Sequence, residues 1–184
     1  MPIPWQWATL IVSTDFILGP IETTDMEITA RHHLRSDEVA DIRSRIESDF
    51  GVDLDGDTFE AVEFAESERR LVLVDGDPLV LRTDDGPILT VRGANLVDPS
   101  RRVVVVDSGA IPFVSDGADV MRPGIVEVDA DIKAGEPVLI AEETHGKVLA
   151  VGRSLVDGSE LLGEQGKVIE SIHHVGDELY AFTA

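Results

Sequence analysis

The chain has 184 residues, enough for one medium-sized domain or two small ones, and its hydrophobic content of 43% is sufficient to build cores. It contains no cysteine, which excludes disulfides and thiolate metal sites and is typical of a protein of the reducing cytoplasm. Its 36 acidic and 15 basic side chains give a net charge of -21, and the acids are spread along the whole chain. This pattern indicates a folded protein of a high-salt cytoplasm, where screening makes net charge a poor guide to binding partners.

Residues 1–25 are apolar and contain both tryptophans of the chain. No Lys or Arg precedes Arg31, so the basic leading region of a secretory signal peptide is missing. Asp15 and Pro20 interrupt the apolar run well short of the length of a membrane span, and we expect no membrane association. The segment is interpreted as an extension, either unstructured or upstream of the true start at Met26, where ordinary domain patterning begins.

Residues 26–98 are predicted to form a small α+β domain. The segment 36–51 has the spacing of an amphipathic helix, with Ser36 as its N-cap and Gly51 as its end. Strands are predicted for four later segments, at 59–64, 70–74, 78–83 and 87–93, with the hairpin sequence DGDP between the second and third. Residues 95–102, with a proline and two adjacent arginines, are the best candidate for a linker.

Residues 99–184 show short strands at close spacing, separated by turn signals, which predict a mainly β pseudobarrel with short helices. Six strands are predicted, at 103–107, 125–132, 137–143, 147–156, 167–175 and 178–182. A short helix over 110–115 is predicted to follow the first of them, with Pro112 in its first turn and Gly117 as its left-handed end. Pro123-Gly124 fits the central pair of a type II turn.

The sequence SGAIPFVSDGADVMRPGI, residues 108–125, contains the strongest functional signal. A glycine turn that opens a helix presents bare N–H groups and the positive end of the helix dipole, which suit a phosphate. Arg122 is the only basic residue between Arg102 and Lys133. Each glycine taken alone is more often an ordinary turn or cap, so the combination of features carries the interpretation.

Three segments in the second half resemble, in order, the PUA domain, an RNA-binding module named after pseudouridine synthases and archaeosine transglycosylases: VVVDSGAIPFVSDGADVMRPGI, HGKVLAVGRSLVDGSEL and GKVIESIHHVGDELYAF. In the first half, RHHLRSDEVADIRSRI and LVLVDGDPLVLRTDDGPILTV are similar to the domain preceding PUA in the malignant-T-cell-amplified protein and its archaeal relatives. The resemblance implies a small, two-domain, non-enzymatic protein that binds RNA and acts in translation or on the ribosome.

PUA domains hold RNA between the glycine loop with its helix and the neighbouring strands. The resemblance therefore implies an RNA site at seven positions: Ser108, Gly109, Ala110, Met121, Arg122, Pro123 and Gly124. We add Lys147 and Arg153 because they are rare cations near the later strands. The expected RNA is structured, either tRNA or ribosomal RNA, and the expected protein partners are the small ribosomal subunit or a translation-factor chain.

The sequence contains no GxSxG motif, Walker loop or dinucleotide fingerprint, and we predict neither an enzyme nor a cofactor. The pairs His32-His33 and His173-His174 are not expected to bind metal, since neighbouring strand residues point to opposite faces. One member of each pair is expected in the core. Two alternatives stay open: an accessory RNA-binding subunit of a tRNA-modifying enzyme of the archaeosine transglycosylase or pseudouridine synthase type, and a protein-interaction adaptor that does not bind RNA.

Overall fold

The computed structural model describes residues 26–65 and 67–184, so the predictions for residues 1–25 lie outside the described residues. The first sheet is an antiparallel meander of five strands in chain order: β1 Ile28–His33, β2 Phe59–Phe64, β3 Ser67–Val74, β4 Asp77–Thr83 and β5 Gly86–Leu89. Helix α1, Ser36–Phe50, connects β1 to β2, and helix α2, Val91–Val97, follows β5.

The second sheet contains six strands: β6 Val103–Val106, β7 Val120–Met121, β8 Ile125–Val128, β9 Pro137–Glu142, β10 Val148–Ser154 and β11 Lys167–His174. Their spatial order is β7-β11-β10-β9-β6-β8, and only the β6–β9 pair is parallel. Helix α3, Ile111–Ser115, follows β6, and helix α4, Glu178–Ala181, follows β11. The predicted architecture, an α+β part followed by a mainly β pseudobarrel with short helices, is confirmed.

Helix α1 forms where the sequence predicts it. Ile42, Ile46 and Phe50, spaced by four residues, are at most 1% exposed, and Gly51 ends the helix in the left-handed region with φ of 71°. The prediction of Ser36 as N-cap is wrong. Arg35 occupies that position, and its backbone N–H donates to the Glu38 carboxylate over 3.1 Å.

Helix α2 replaces the end of the predicted strand 87–93 and the start of the predicted linker 95–102. Thr90 begins it, because its Oγ1 accepts a hydrogen bond from the Gly93 N–H at 3.0 Å. The same hydroxyl donates to the Pro78 carbonyl of β4 at 2.7 Å, which fixes the helix against the sheet. Gly93 is required there, since a Cβ would lie 2.2 Å from the Leu79 carbonyl oxygen.

Helix α4 occupies the predicted strand 178–182, so that prediction is wrong. The Asp177 carboxylate accepts from the Tyr180 N–H at 2.8 Å and caps the helix, after a left-handed Gly176 with φ of 82°. The helix returns to the first sheet, where Phe182 packs edge-on against Phe64 of β2 with 5.4 Å between ring centroids. The last described residues therefore join the two sheets.

One apolar core extends across both sheets. Four side chains of β9 and β10 belong to the same buried cluster as the interior of the first sheet: Leu139, Ala141, Val148 and Val151. A second cluster fills the curled sheet from within and includes Val104, Ile140 and Ile169. The predicted boundary between residues 98 and 99 stays a prediction, and the parts on either side of it pack together extensively.

Polar contacts reinforce this junction. Asn95 of α2 donates to the Val148 carbonyl and accepts from the Val148 N–H, both over 2.9 Å. Arg102 lies between two carboxylates, with Asp49 of α1 at 3.0 Å and Glu136 at 2.8 Å. Asp49 is only 6% exposed, so the pair with Arg102 keeps a buried charge compensated.

The histidine prediction holds for one pair. His173 is buried and His174 is half-buried, but His32 and His33 are both exposed on the edge strand β1. In residues 26–65 and 67–184, no three His, Asp or Glu side chains are grouped to hold a metal ion. Within the same ranges, no helix has the length and apolar character needed to cross a bilayer.

Candidate functional site

In the loop from β6 to α3, the backbone N–H groups of Ser108 and Ala110 are both hydrogen-bonded and not bare. The Ser108 N–H donates to the Glu143 carboxylate at 3.1 Å, and the Ala110 N–H donates to the Asp107 carboxylate at 2.9 Å. Carboxylates thus occupy the place where the sequence predicts a phosphate. Gly109 lies outside the left-handed region, and a Cβ on it would lie 3.3 Å from Asp107 Oδ1, so the aspartate side chain would have to shift slightly to accept it.

An apolar groove of about 420 Å³ lies beside this loop, between α3, β7 and the turn that follows β7. We call it the α3–β7 groove; its lining residues are Asp107, Gly109, Ala110, Phe113, Val114, Asp119, Val120, Met121, Pro123 and Gly124. Five of the seven residues implied by the resemblance are among them, and Ser108 adjoins the groove. The structure therefore brings most of the predicted site together, around an apolar cavity instead of an anion cradle.

Gly124 lets the turn after β7 lie close to Ala110 at the start of α3. The prediction of a type II turn is wrong, because Arg122–Gly124 forms a 3-10 turn and Gly124 is not left-handed. A Cβ on Gly124 would lie 2.9 Å from the Cβ of Ala110. The missing side chain thus allows the turn to approach α3 closely.

Phe113 is the groove residue that the sequence analysis missed. It is 67% exposed on α3, and Met121 is 50% exposed on β7. The helical spacing in the sequence indicates this exposure: if Ile111 and Val114 are directed to the core, a rotation of about 100° per residue places Phe113 on the outer face of the helix. An exposed aromatic ring and an exposed methionine lining one groove form a surface suited to a flat apolar ligand group.

Arg122 is turned away from the α3–β7 groove. Its Nε donates to the Glu160 carbonyl at 2.8 Å and its Nη1 donates to the Gln165 carbonyl at 2.7 Å. The side chain lies so close to the 160–166 loop that a Cβ on Gly163 would be 2.8 Å from its Cδ. Arg122 therefore holds the 160–166 loop through two hydrogen bonds from its guanidinium.

Asp119, at the other side of the groove, is held as a carboxylate. The hydrogen bond from the Ser171 N–H at 2.9 Å lowers its pKa most, and the Lys167 ammonium at 3.1 Å lowers it further. Among the residues that the structure describes, Asp107 and Asp119 are the charged side chains that line the groove, and both are acidic. The groove offers hydrogen-bond acceptors and repels phosphate from its interior.

The turn between β9 and β10 brings Lys147 toward the loop. β6 and β9 are parallel and end at the same edge of the sheet, and Glu143 in this turn binds the Ser108 N–H. The buried Glu142 carboxylate accepts from the N–H groups of Thr144 and His145 and shapes the turn. Desolvation raises the pKa of Glu142, but these backbone hydrogen bonds outweigh it and the pKa lies below its usual value.

Arg153 does not join the candidate site. It lies near the far end of β10, about 20 Å from Lys147 at a strand rise of about 3.3 Å per residue. There it forms an ion pair with Asp85, which follows β4. Of the two added cations, only Lys147 lies at the edge of the sheet that carries the groove.

Comparison with known proteins identifies relatives along most of the chain. A sequence profile described as the PUA domain matches residues 102–176. An uncharacterized protein of Methanocaldococcus jannaschii is 38% identical over 160 residues, which cover 85% of this chain and 99% of the relative. Translation machinery-associated protein 20 of Saccharomyces cerevisiae is 33% identical over 125 residues, which cover 64% of this chain and 69% of the yeast protein. Among solved structures, a conserved PUA domain protein from Thermoplasma acidophilum is 30% identical and superposes with a TM-score of 0.72 over 82% of this chain and 97% of that chain.

Proposed function

This chain belongs to the family of PUA-domain proteins that includes translation machinery-associated protein 20 and malignant T-cell-amplified sequence 1, and we propose that it binds structured RNA through the α3–β7 groove. As a member of this family, the protein binds RNA and acts in translation. The bound RNA is a tRNA or a ribosomal RNA segment, which places its unpaired bases in the α3–β7 groove and keeps its phosphates outside the groove.

The observation that carries this proposal is the pair of exposed apolar side chains, Phe113 and Met121, at an apolar groove. Sequence-specific RNA recognition targets loops and ends whose unstacked bases stack on aromatic rings, at about 1–3 kcal/mol per base. The carboxylates of Asp107 and Asp119 can accept hydrogen bonds from base amino groups. Lys147 is exposed in the β9–β10 turn, whose Glu143 contacts Ser108; it has no carboxylate within 4.0 Å among the described residues and is available to a phosphate.

The test is a comparison of Phe113→Ala with a matched control, Leu96→Ala. Leu96 is 65% exposed on α2 and does not line the groove, so its loss removes a similar exposed apolar side chain elsewhere. Affinity would be measured by fluorescence anisotropy, at a salt concentration that keeps the protein folded, for a tRNA, a small-subunit ribosomal RNA fragment and a fully paired duplex. We expect Phe113→Ala to weaken binding to the tRNA or the fragment by about 5- to 150-fold, as loss of one stacked base implies.

Equal binding by both variants, or preference of the wild-type protein for the duplex, would contradict base stacking in the groove. The RNA that binds most tightly in this assay identifies the substrate class.

We further propose that the protein has no catalytic step of its own and acts by placing its RNA on a partner. Sedimentation with purified small ribosomal subunits tests this, with Phe113→Ala expected to reduce co-sedimentation in parallel with RNA affinity. Co-purification with a tRNA-modifying enzyme in place of ribosomal particles would favour the accessory-subunit alternative. Binding to protein alone would favour the adaptor.

A further inference from the structure

A second groove lies at the junction of the two sheets and is lined by arginines from both. We call it the arginine groove; it has a volume of about 580 Å³ and is lined by Ser67, Glu68, Arg69, Leu81, Arg82, Thr83, Asp84, Asp85, Arg153 and Ile172. Arg69 belongs to β3, Arg82 to β4 and Arg153 to β10. One-quarter of the twelve arginines of a strongly acidic chain therefore line one groove.

The arginines of this groove are incompletely neutralised. Arg153 is paired with Asp85, and the Arg82 guanidinium lies 3.7 Å from Glu38, beyond hydrogen-bond distance. Arg69 is exposed and has no carboxylate within 4.0 Å in the part of the chain that the structure describes. Three lining arginines balance three lining acids here, whereas the charged side chains that line the α3–β7 groove among the described residues are both acidic. An anion therefore meets less repulsion here than in the α3–β7 groove.

Two arginines, one of which lines the arginine groove, face each other across β3 and β4. Arg70 of β3 lies directly opposite Arg82 of β4, and like charges at directly opposed positions destabilise a sheet. Arg70 is partly offset by Glu63 of β2, which lies opposite it with its carboxylate 3.4 Å from Arg70 Nε, whereas Arg82 has the Glu38 carboxylate at 3.7 Å. A bound anion beside Arg82 would reduce this repulsion, since Glu38 is the only carboxylate within 4.0 Å of Arg82 among the described residues.

We propose that the arginine groove binds the phosphate backbone of the same RNA whose unpaired bases occupy the α3–β7 groove. The inference rests on the proposed function and adds a second contact to it. The planar guanidinium matches phosphate oxygens with two parallel N–H donors, which makes arginine the suitable residue for this ligand. A phosphate at Arg69 would displace no carboxylate of the described residues, whereas Asp85 competes with the phosphate for Arg153.

Two substitutions of opposite sign test the proposal. Arg69→Ala should weaken binding to the RNA chosen in the groove assay, and it should reduce the slope of log K against log salt by about 0.7–0.9, the value of one phosphate contact. Asp85→Asn should strengthen binding several-fold, because it releases Arg153 from its carboxylate. The controls are Lys133→Ala and Asp41→Asn, which remove one exposed cation and one exposed acid that line neither groove. Neither control should change the slope.

The outcomes separate this inference from its premise. If the wild-type protein binds none of the RNAs, the proposed function fails and the arginine groove loses its ligand. If Phe113→Ala weakens binding but Arg69→Ala and Asp85→Asn match their controls, only the arginine groove is refuted. Should Arg69→Ala fold poorly by circular dichroism, Arg69→Gln keeps the stem of the side chain, and an unchanged salt slope in that variant overturns the proposal. If Arg69→Ala loses as much affinity for a polyglutamate peptide as for RNA, the groove would be assigned to acidic proteins, and this result would also overturn the proposal.

Discussion

Replacing Arg122 by alanine should destabilise the fold, and not only weaken RNA binding. The substitution removes the hydrogen bonds from Nε to the Glu160 carbonyl, at 2.8 Å, and from Nη1 to the Gln165 carbonyl, at 2.7 Å. Hydrogen bonds with a charged donor contribute about 1.5–3 kcal/mol when buried, and we take about 1 kcal/mol each because this guanidinium is half-exposed. Lost packing on Gly163 brings the expected loss of unfolding free energy to about 2–3 kcal/mol.

The assay is thermal unfolding followed by circular dichroism in molar salt. For a protein of this size, about 1 kcal/mol corresponds to about 2–4 °C, so the melting temperature should fall by about 4–12 °C. Arg101→Ala is the matched control, since exposed Arg101 donates a single bond to the Ser48 carbonyl at 3.2 Å. That control should lower the melting temperature by about 4 °C at most.

The opposite result would refute the reasoning from the hydrogen bonds. If Arg122→Ala melts within about 1 °C of the wild-type protein and loses RNA affinity, the carbonyl contacts contribute nothing measurable. Arg122 would then be the phosphate contact that the sequence predicts. Arg122→Lys adds a second readout, because a lysine can reach one carbonyl at most and should keep about half of the stabilisation.

Three further predictions concern stability. Gly93→Ala should lower the free energy of unfolding by about 2–4 kcal/mol, since the new Cβ would lie 2.2 Å from the Leu79 carbonyl oxygen. Gly76→Ala should lower it by only about 1 kcal/mol, because the substitution strains a left-handed backbone but meets no atom. Equal urea midpoints for the two variants would contradict this contrast. Desolvation raises the pKa of Asp177, but the hydrogen bond with His173 and two backbone N–H groups outweigh it, so the pKa is lowered in the folded protein. The stabilisation by this carboxylate is therefore present above the pKa of Asp177 in the unfolded chain, and it is lost as pH falls through the lower pKa of the folded protein. Urea unfolding of Asp177→Ala should therefore depend less steeply on pH below about pH 4 than that of the wild-type protein, and parallel curves would exclude this contribution. Dilution from molar salt to about 0.1 M, where the Debye length is about 10 Å, should loosen a chain of net charge -21, and unchanged stability would count against adaptation to high salt.

The sequence predicts long or strongly patterned elements well and short capped ones poorly. Helix α1 has four turns of periodic apolar residues, and the hairpin at Asp75-Gly76 has the left-handed backbone that its residue types favour, with φ of 51° and 91°. Helices α2 and α4 are too short for periodicity to reveal them. Each depends on one capping side chain, Thr90 or Asp177, and on a surface to pack against, and the apolar residues around them favour a strand when taken alone.

For the candidate site, the sequence predicts positions on the backbone better than the roles of charges. The groove residues from Gly109 to Gly124 lie close in space because they are close in sequence, within one short helix, one short strand and the turn that follows it. Arg122 and Arg153 find partners 38 and 68 residues away, which no local pattern encodes. Phe113 lies on the outer face of a five-residue helix, which is too short for its apolar spacing alone to distinguish an exposed side chain from a core side chain.

The core shared by the two sheets affects the solubility of any excised part. A fragment of residues 99–184 would expose to water the outer apolar side chains of β9 and β10 that now face the first sheet: Leu139, Ala141, Val148 and Val151. A contiguous apolar patch of this kind promotes self-association, so the fragment should aggregate or dimerise even if the pseudobarrel itself folds. Any protein that joins such a pseudobarrel to a different neighbour has to provide another apolar cover for these strands.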